Sequence, residues 1–234
     1  RTVKDGSIYA FNVLYGTEMT VSPNTSGDSM AEPQTFTFTQ DLHELNFVHS
    51  KGPGVYIQHV DGGFYTKDEW SSGNYENTKA NGIALLSDSF SSFVISLNKF
   101  PSEKWSSGYV YTDSIRYSSD VILDFNGESR TNKIVRDYPT QQSAAKLCTE
   151  YTFPNGKPGY LPAGGELYAL YNNKESIQEL MTAVGGADIS SSSIWIAAQS
   201  YSDGSYAWYI NLATGSISNK IKTSYCAVIP FAKI

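Results

Sequence analysis

The run Gly159-Tyr160-Leu161-Pro162-Ala163-Gly164-Gly165-Glu166-Leu167 limits what this chain can fold into more than any other stretch. Pro162 has no amide donor, so it ends whatever ladder Tyr160 and Leu161 join. Gly164-Gly165 then permits a sharp change of direction. From 166 to about 184, Leu167, Leu170, Ile177, Leu180, Met181 and Val184 recur at helical spacing, and Gly185-Gly186 supplies the stop. Glu166 stands where a carboxylate favours a helix N-terminus. Beyond Gly186 the pattern holds only strands and turns, at 194–198, 207–212 and 227–231.

Upstream, Val55-Tyr56-Ile57, the turn Asp61-Gly62-Gly63 and Phe64-Tyr65-Thr66 read as a hairpin. Short buried-type strands follow at 83–86 and 93–97, and Val121-Ile122-Leu123 precedes a turn at Asn126-Gly127. Pro139 suits the first turn of a helix reaching about Tyr151, with Ala144, Leu147, Cys148 and Tyr151 on one face. Strands, two helices and strands again make an α+β domain over 49–234. Residues 1–48 differ. Strand-like segments at 8–14 and 35–39 flank a turn-rich loop at 22–29, which reads as a short β extension or the remnant of a stalk domain.

Composition then narrows the function. Charged residues are only 17% of the 234, whereas Tyr, Ser, Gly and Asn are abundant, the mix found in binding loops. A net charge of −6 disfavours nucleic acid, whose phosphates need a basic face. No apolar run approaches the roughly 20 residues that span a bilayer. The chain opens at Arg1 without a leader, as expected of a mature or trimmed chain. His43-Glu44 begins like a zinc-protease motif, but Phe47 stands where the second histidine belongs. Asp61 and Asp68-Glu69 read as surface charge, and no glycine-rich phosphate loop is present. No cofactor and no metal are expected.

A resemblance is carried by Gly54-Val55-Tyr56-Ile57, Lys67-Asp68-Glu69-Trp70, Gly82-Ile83-Ala84 and Asp124-Phe125-Asn126-Gly127. Ala144-Ala145-Lys146-Leu147-Cys148, Gly159-Tyr160-Leu161-Pro162, Gly165-Glu166-Leu167, Ala207-Trp208-Tyr209 and Val228-Ile229-Pro230-Phe231 complete it. In this order the segments resemble the C-type-lectin-like domains that end surface proteins of gut Bacteroidetes. Those domains are related to the variable proteins of diversity-generating retroelements and to the sulfatase-modifying-factor fold. The resemblance implies a C-type-lectin-like fold with two helices and antiparallel sheets, displayed extracellularly at a cell surface. It also implies a Cys148–Cys226 disulfide, the alternative being two buried free thiols. Closing a loop of about 80 residues would contribute roughly 4.5 kcal/mol in the chain-entropy model. The calcium-binding loop of such lectins has no counterpart beyond Glu32-Pro33-Gln34, outside the resembling region.

By the same resemblance the C-terminal segment contacts the ligand. Its candidate positions are Ile194, Trp195, Ile196, Ala197, Ser200, Ser202, Asp203, Ser205, Tyr206, Asn211, Ala213, Ser216, Ser218 and Ile221. The expected function is non-catalytic recognition of a protein or glycan on another cell or a host surface. The alternative is a structural or tip subunit of a surface fibre. A glycan-active enzyme is the third reading, and no residue spacing announces one.

Overall fold

Asp61-Gly62-Gly63 reverses the chain as its composition predicts. Gly62 takes a φ of +99°, the His59 N–H donates to the Gly63 carbonyl at 2.8 Å, and Asp61 Oδ1 accepts from the Gly63 N–H at 2.9 Å. The computed structural model describes residues 51–108, 110–201 and 204–234, and the backbone of 18–21 and 34–37. The chain divides into two compact units, Arg1–Gly52 and Pro53–Ile234. In the first, β1 (Glu18–Val21) pairs antiparallel with β2 (Gln34–Thr37). The strand expected over 8–14 and the loop expected over 22–29 lie outside the described residues.

The second unit is α+β, with two sheets and six helices among the described residues. Its strands are β3 (Gly54–His59), β4 (Phe64–Tyr65), β5 (Ala80–Leu86), β6 (Phe93–Ile95), β7 (Phe100–Lys104), β8 (Ser114–Ile115), β9 (Ser193–Ser200), β10 (Tyr206–Asn211), β11 (Ile217–Ile221), β12 (Tyr225–Val228) and β13 (Phe231–Lys233). Its helices are α1 (Lys67–Ser72), α2 (Ser118–Val121), α3 (Gly127–Asp137), α4 (Ala144–Glu150), α5 (Gly164–Asn172) and α6 (Lys174–Ala183). One sheet runs β13-β6-β5-β3-β4. The other runs β11-β10-β9-β12-β7, with β8 also on β9. The expectation of antiparallel sheets holds throughout the first sheet and is corrected at two pairings of the second, where β12 and β8 run parallel to β9. The strand expected over 227–231 is divided as well. Pro230 interrupts it, so β12 serves one sheet and β13 the other.

Six helices replace the two expected, for local reasons. Thr66 opens α1 with a capping box: Thr66 Oγ1 accepts from the Glu69 N–H at 3.2 Å and Glu69 Oε2 accepts from the Thr66 N–H at 2.7 Å. The helix assigned to 139–151 begins only at Ala144, because the Ser143 hydroxyl accepts the Lys146 N–H at 3.1 Å and sets the cap there. The long helix over 166–184 is two. At Asn173 the side-chain amide donates to the Ala169 carbonyl at 2.9 Å, while the backbone N–H turns back to Leu170 at 3.0 Å. The turn at Asn126-Gly127 is the start of α3, whose buried residues are Gly127, Thr131 and Ile134. A polar helix with so narrow an apolar stripe leaves little periodicity to read.

Glycines let the start of α5 approach the end of α2 and the turn that leads into α3. A Cβ on Gly164 would lie 2.4 Å from the Val121 carbonyl, and one on Gly165 2.7 Å from that of Asp124. Leu167, Leu170, Ile177, Leu180 and Met181 fill the space between α5, α6 and the sheets, beside Ile57, Ile83 and Ile194. Each fully buried aliphatic side chain contributes roughly 1.5–3 kcal/mol. A second cluster gathers Trp105, Ile134, Ala144, Cys148, Leu161, Trp195 and Val228. No helix among the described residues is long and apolar enough to cross a membrane.

Candidate functional site

The C-terminal segment does not lie on one surface. β9 is flanked by β10 on one edge and by β12 and β8 on the other, and both its faces are covered. Ile194 and Ile196 point into the cluster with Leu167 and Leu170, while Trp195 and Ala197 point into the cluster with Trp105 and Cys148. All four are 0% exposed, and Ser200 is 5% exposed. These five expected ligand contacts are therefore corrected to interior residues. An unbroken apolar run such as Ile-Trp-Ile-Ala-Ala is what a strand buried on both faces requires. The Trp195 Nε1–H donates to the Glu103 carbonyl at 2.8 Å and the Trp208 Nε1–H to the Ile115 carbonyl at 3.0 Å, so both indoles are satisfied internally.

The remaining expected positions fall into two groups. Ser202 and Asp203 lie outside the described residues. Ser205 is exposed and Tyr206 half-buried at the start of β10, and Tyr206 pairs with the exposed Ile221. Asn211, Ala213 and Ser216 belong to the β10–β11 hairpin at the other end, where Asn211 Oδ1 accepts the Ala213 N–H at 2.9 Å. Six strand residues separate those ends by roughly 17–20 Å. Ser218, exposed on the edge strand β11, lies between them opposite Tyr209.

A different set converges at the end where β9 finishes. Tyr111, Tyr117 and Tyr201 are 55%, 56% and 59% exposed. The Arg116 guanidinium sits 5.2 Å from the Tyr117 ring centroid and 4.8 Å from that of Tyr201. The Tyr111 ring lies against Gly204, which takes a φ of +80° and whose Cβ, if present, would stand 3.1 Å from that ring. Sequence reading passed over Tyr111-Thr112-Asp113-Ser114-Ile115-Arg116-Tyr117 because it holds no motif. The signal in this stretch is compositional: two Tyr and an Arg within seven residues, with small polar residues between.

This loop is held from beneath. Lys222 is 4% exposed and donates from Nζ to the Val110 carbonyl at 2.5 Å and to Gln199 Oε1 at 2.7 Å, with the Trp105 ring 4.5 Å away. Gln199 Oε1 also accepts the Thr112 N–H at 3.3 Å. From the side, Tyr138 Oη accepts the Tyr111 N–H at 3.0 Å, and Lys133 pairs with Asp113 at 2.6 Å. The Lys133 hydrogen bond holds the Asp113 carboxyl below its ordinary pKa. Arg130 links the Asp113 carbonyl (3.2 Å) to the buried Asp124 carboxylate (2.6 Å). Two buried atoms under the loop, Thr112 Oγ1 and Gln199 Nε2, have no protein hydrogen-bond partner among the described residues.

Two other features with chemical potential are interior. Glu166 is 0% exposed, and accepts the Ala163 N–H at 2.7 Å and the Tyr160 hydroxyl at 2.8 Å. Burial raises its pKa to about 7 against the opposing pull of those donors and of Lys233, 3.8 Å away. Both oxygens are engaged internally, so it braces the start of α5.

Cys148 and Cys226 share one apolar cluster, yet both thiols are free, which corrects the expected disulfide. Burial pushes both pKa values up, with Lys220 partly opposing this at Cys226. Iodoacetamide should leave both unmodified in the native protein and alkylate both after unfolding in urea. An intact mass two hydrogens short before any reduction would restore the cross-link.

No family model matches the chain, and no curated protein matches it.

Proposed function

We propose that residues 53–234 form a C-type-lectin-like domain acting as a non-catalytic recognition module. It is displayed outside the cell and binds a protein or glycan on another cell or a host surface. Binding takes place at Tyr111, Arg116, Tyr117 and Tyr201, with the neighbouring Ser205 and Ile221 at the rim. One observation carries this reading: two tyrosines, each more than half exposed, flank a guanidinium on a loop held in place by a buried lysine, and a third exposed tyrosine, Tyr111, stands on the same loop. Large aromatics held still in water lose little entropy on binding and supply most of the contact energy. No bond in a ligand need be broken, so this face calls for no nucleophile.

The triple variant Y111A/Y117A/Y201A tests this. On arrays of glycans and host surface proteins, the signals of the wild-type chain should fall at least tenfold. The melting temperature should shift by no more than about 3–6 °C, since exposed substitutions stay within roughly 0.5 kcal/mol each. Unchanged array signals would reject the site.

A further inference from the structure

Arg116 is the unmatched charge of this face. Lys133 is paired with Asp113, Arg130 with Asp124, and Lys222 is held by the Val110 carbonyl and Gln199. Among the described residues Arg116 has neither a carboxylate within ion-pair distance nor an acceptor for its five N–H donors. Its contacts are the π faces of Tyr117 and Tyr201. A guanidinium steadied between rings keeps its planar fork of donors available, and that fork fits a carboxylate in a bidentate pair. The platform shares no residue with the grooves along α6, lined by Lys174, Glu175, Gln178 and Thr182, or at Tyr171–Ser176. Small ligands favour concave sites, whereas exposed Tyr and Arg outside these grooves suit the surface of another protein.

We infer that the partner is a protein that places an Asp or Glu carboxylate on Arg116, flanked by Tyr117 and Tyr201, with Tyr111 of the same loop adding contact area. This rests on the recognition reading above and names the partner class for the same face. The whole chain carries a net charge of −6, so attraction to an acidic residue is local. It sets the register of docking more than it speeds encounter.

The test uses the full chain and a displayed random-peptide library as the probe. Peptides selected on the wild-type protein should share an Asp or Glu. Changing that residue to Asn or Gln should weaken binding at least tenfold on the wild type and have no effect on Arg116→Met. Arg116→Lys, which keeps the charge but loses the fork, should fall between them. Thermal melts of both variants should match the wild type. If the selected peptides need the three tyrosines but no acidic residue, the inference fails and the recognition site stands. If they bind Y111A/Y117A/Y201A as well as the wild type, both fail. If no peptide is enriched while a saccharide on the glycan array is lost in the triple variant, the partner is a glycan and the inference is overturned.

Discussion

Replacing Trp195 by alanine should destabilise the domain by about 3–5 kcal/mol and lower its melting temperature by roughly 6–20 °C. The indole is 0% exposed, packs edge-on to Tyr209 with ring centroids 6.3 Å apart, and donates to the Glu103 carbonyl. Truncation removes all three contributions and leaves a cavity in the cluster shared with Trp105, Cys148 and Val228. By contrast Ser218→Ala, on the exposed side of β11, should stay within about 0.5 kcal/mol. Urea unfolding of the two variants separates the possibilities. A Trp195→Ala protein less than 1 kcal/mol below wild type would mean that the ring belongs to the surface after all.

The second large effect is a dependence on pH. Glu166 titrates near 4.5 when unfolded and near 7 when folded, because burial favours its neutral form. Between those values the native chain keeps a proton that the unfolded chain has released, so stability falls as pH rises from about 4.5 to 7. The total change from Glu166 is on the order of 3 kcal/mol, and this residue adds nothing further above about pH 7. Asp113 and Asp188 have lowered pKa values, Asp113 through Lys133 and Asp188 through hydrogen bonds from Ser190. They act in the opposite sense below their ordinary range, and their exposure makes them weak. Stability should therefore peak near pH 4.5–5. Glu166→Gln should remove the slope between about pH 4.5 and 7. Glu166→Ala would also leave the Ala163 N–H and the Tyr160 hydroxyl buried without an acceptor, at about 1–3 kcal/mol each. A Glu166→Gln protein with an unchanged pH profile would assign the titration to another group. Gly127 faces the same carboxylate, since a Cβ there would fall 2.3 Å from Glu166 Oε2. Gly127→Ala should thus disturb the same junction.

Elements were legible where local chemistry alone decides them. The Asp61-Gly62-Gly63 hairpin, β3, β5, β9 and β10 follow from glycine freedom and runs of β-branched and aromatic residues. The stop after α6 follows in the same way from Gly185-Gly186, whose Gly186 N–H closes onto the Met181 carbonyl at 2.7 Å. Elements were missed where a single side chain overrides the pattern. The Asn173 amide splits a helix whose apolar spacing runs on unbroken, and Ser143 moves a start that Pro139 advertised. The site was misread for a related reason. Ile194, Trp195 and Ile196 were assigned to a surface, yet which faces of a strand are covered depends on its neighbours, and β8 and β12 arrive from 79 and 32 positions away by subtraction of residue numbers (193 − 114 and 225 − 193).

Taken alone, the order of residues determined an α+β chain of alternating apolar runs and Gly or Pro breaks, because backbone freedom and hydrophobic period act over a few neighbours. Tertiary structure decided which aromatics are interior and which meet solvent. It buried Trp195 and Trp208, and it brought Arg116 and Tyr117 beside Tyr201, some 84 positions further along (201 − 117). Burial and long-range contact are properties of the packed chain, since the same tyrosine serves equally well in a core or on a surface until its neighbours close around it.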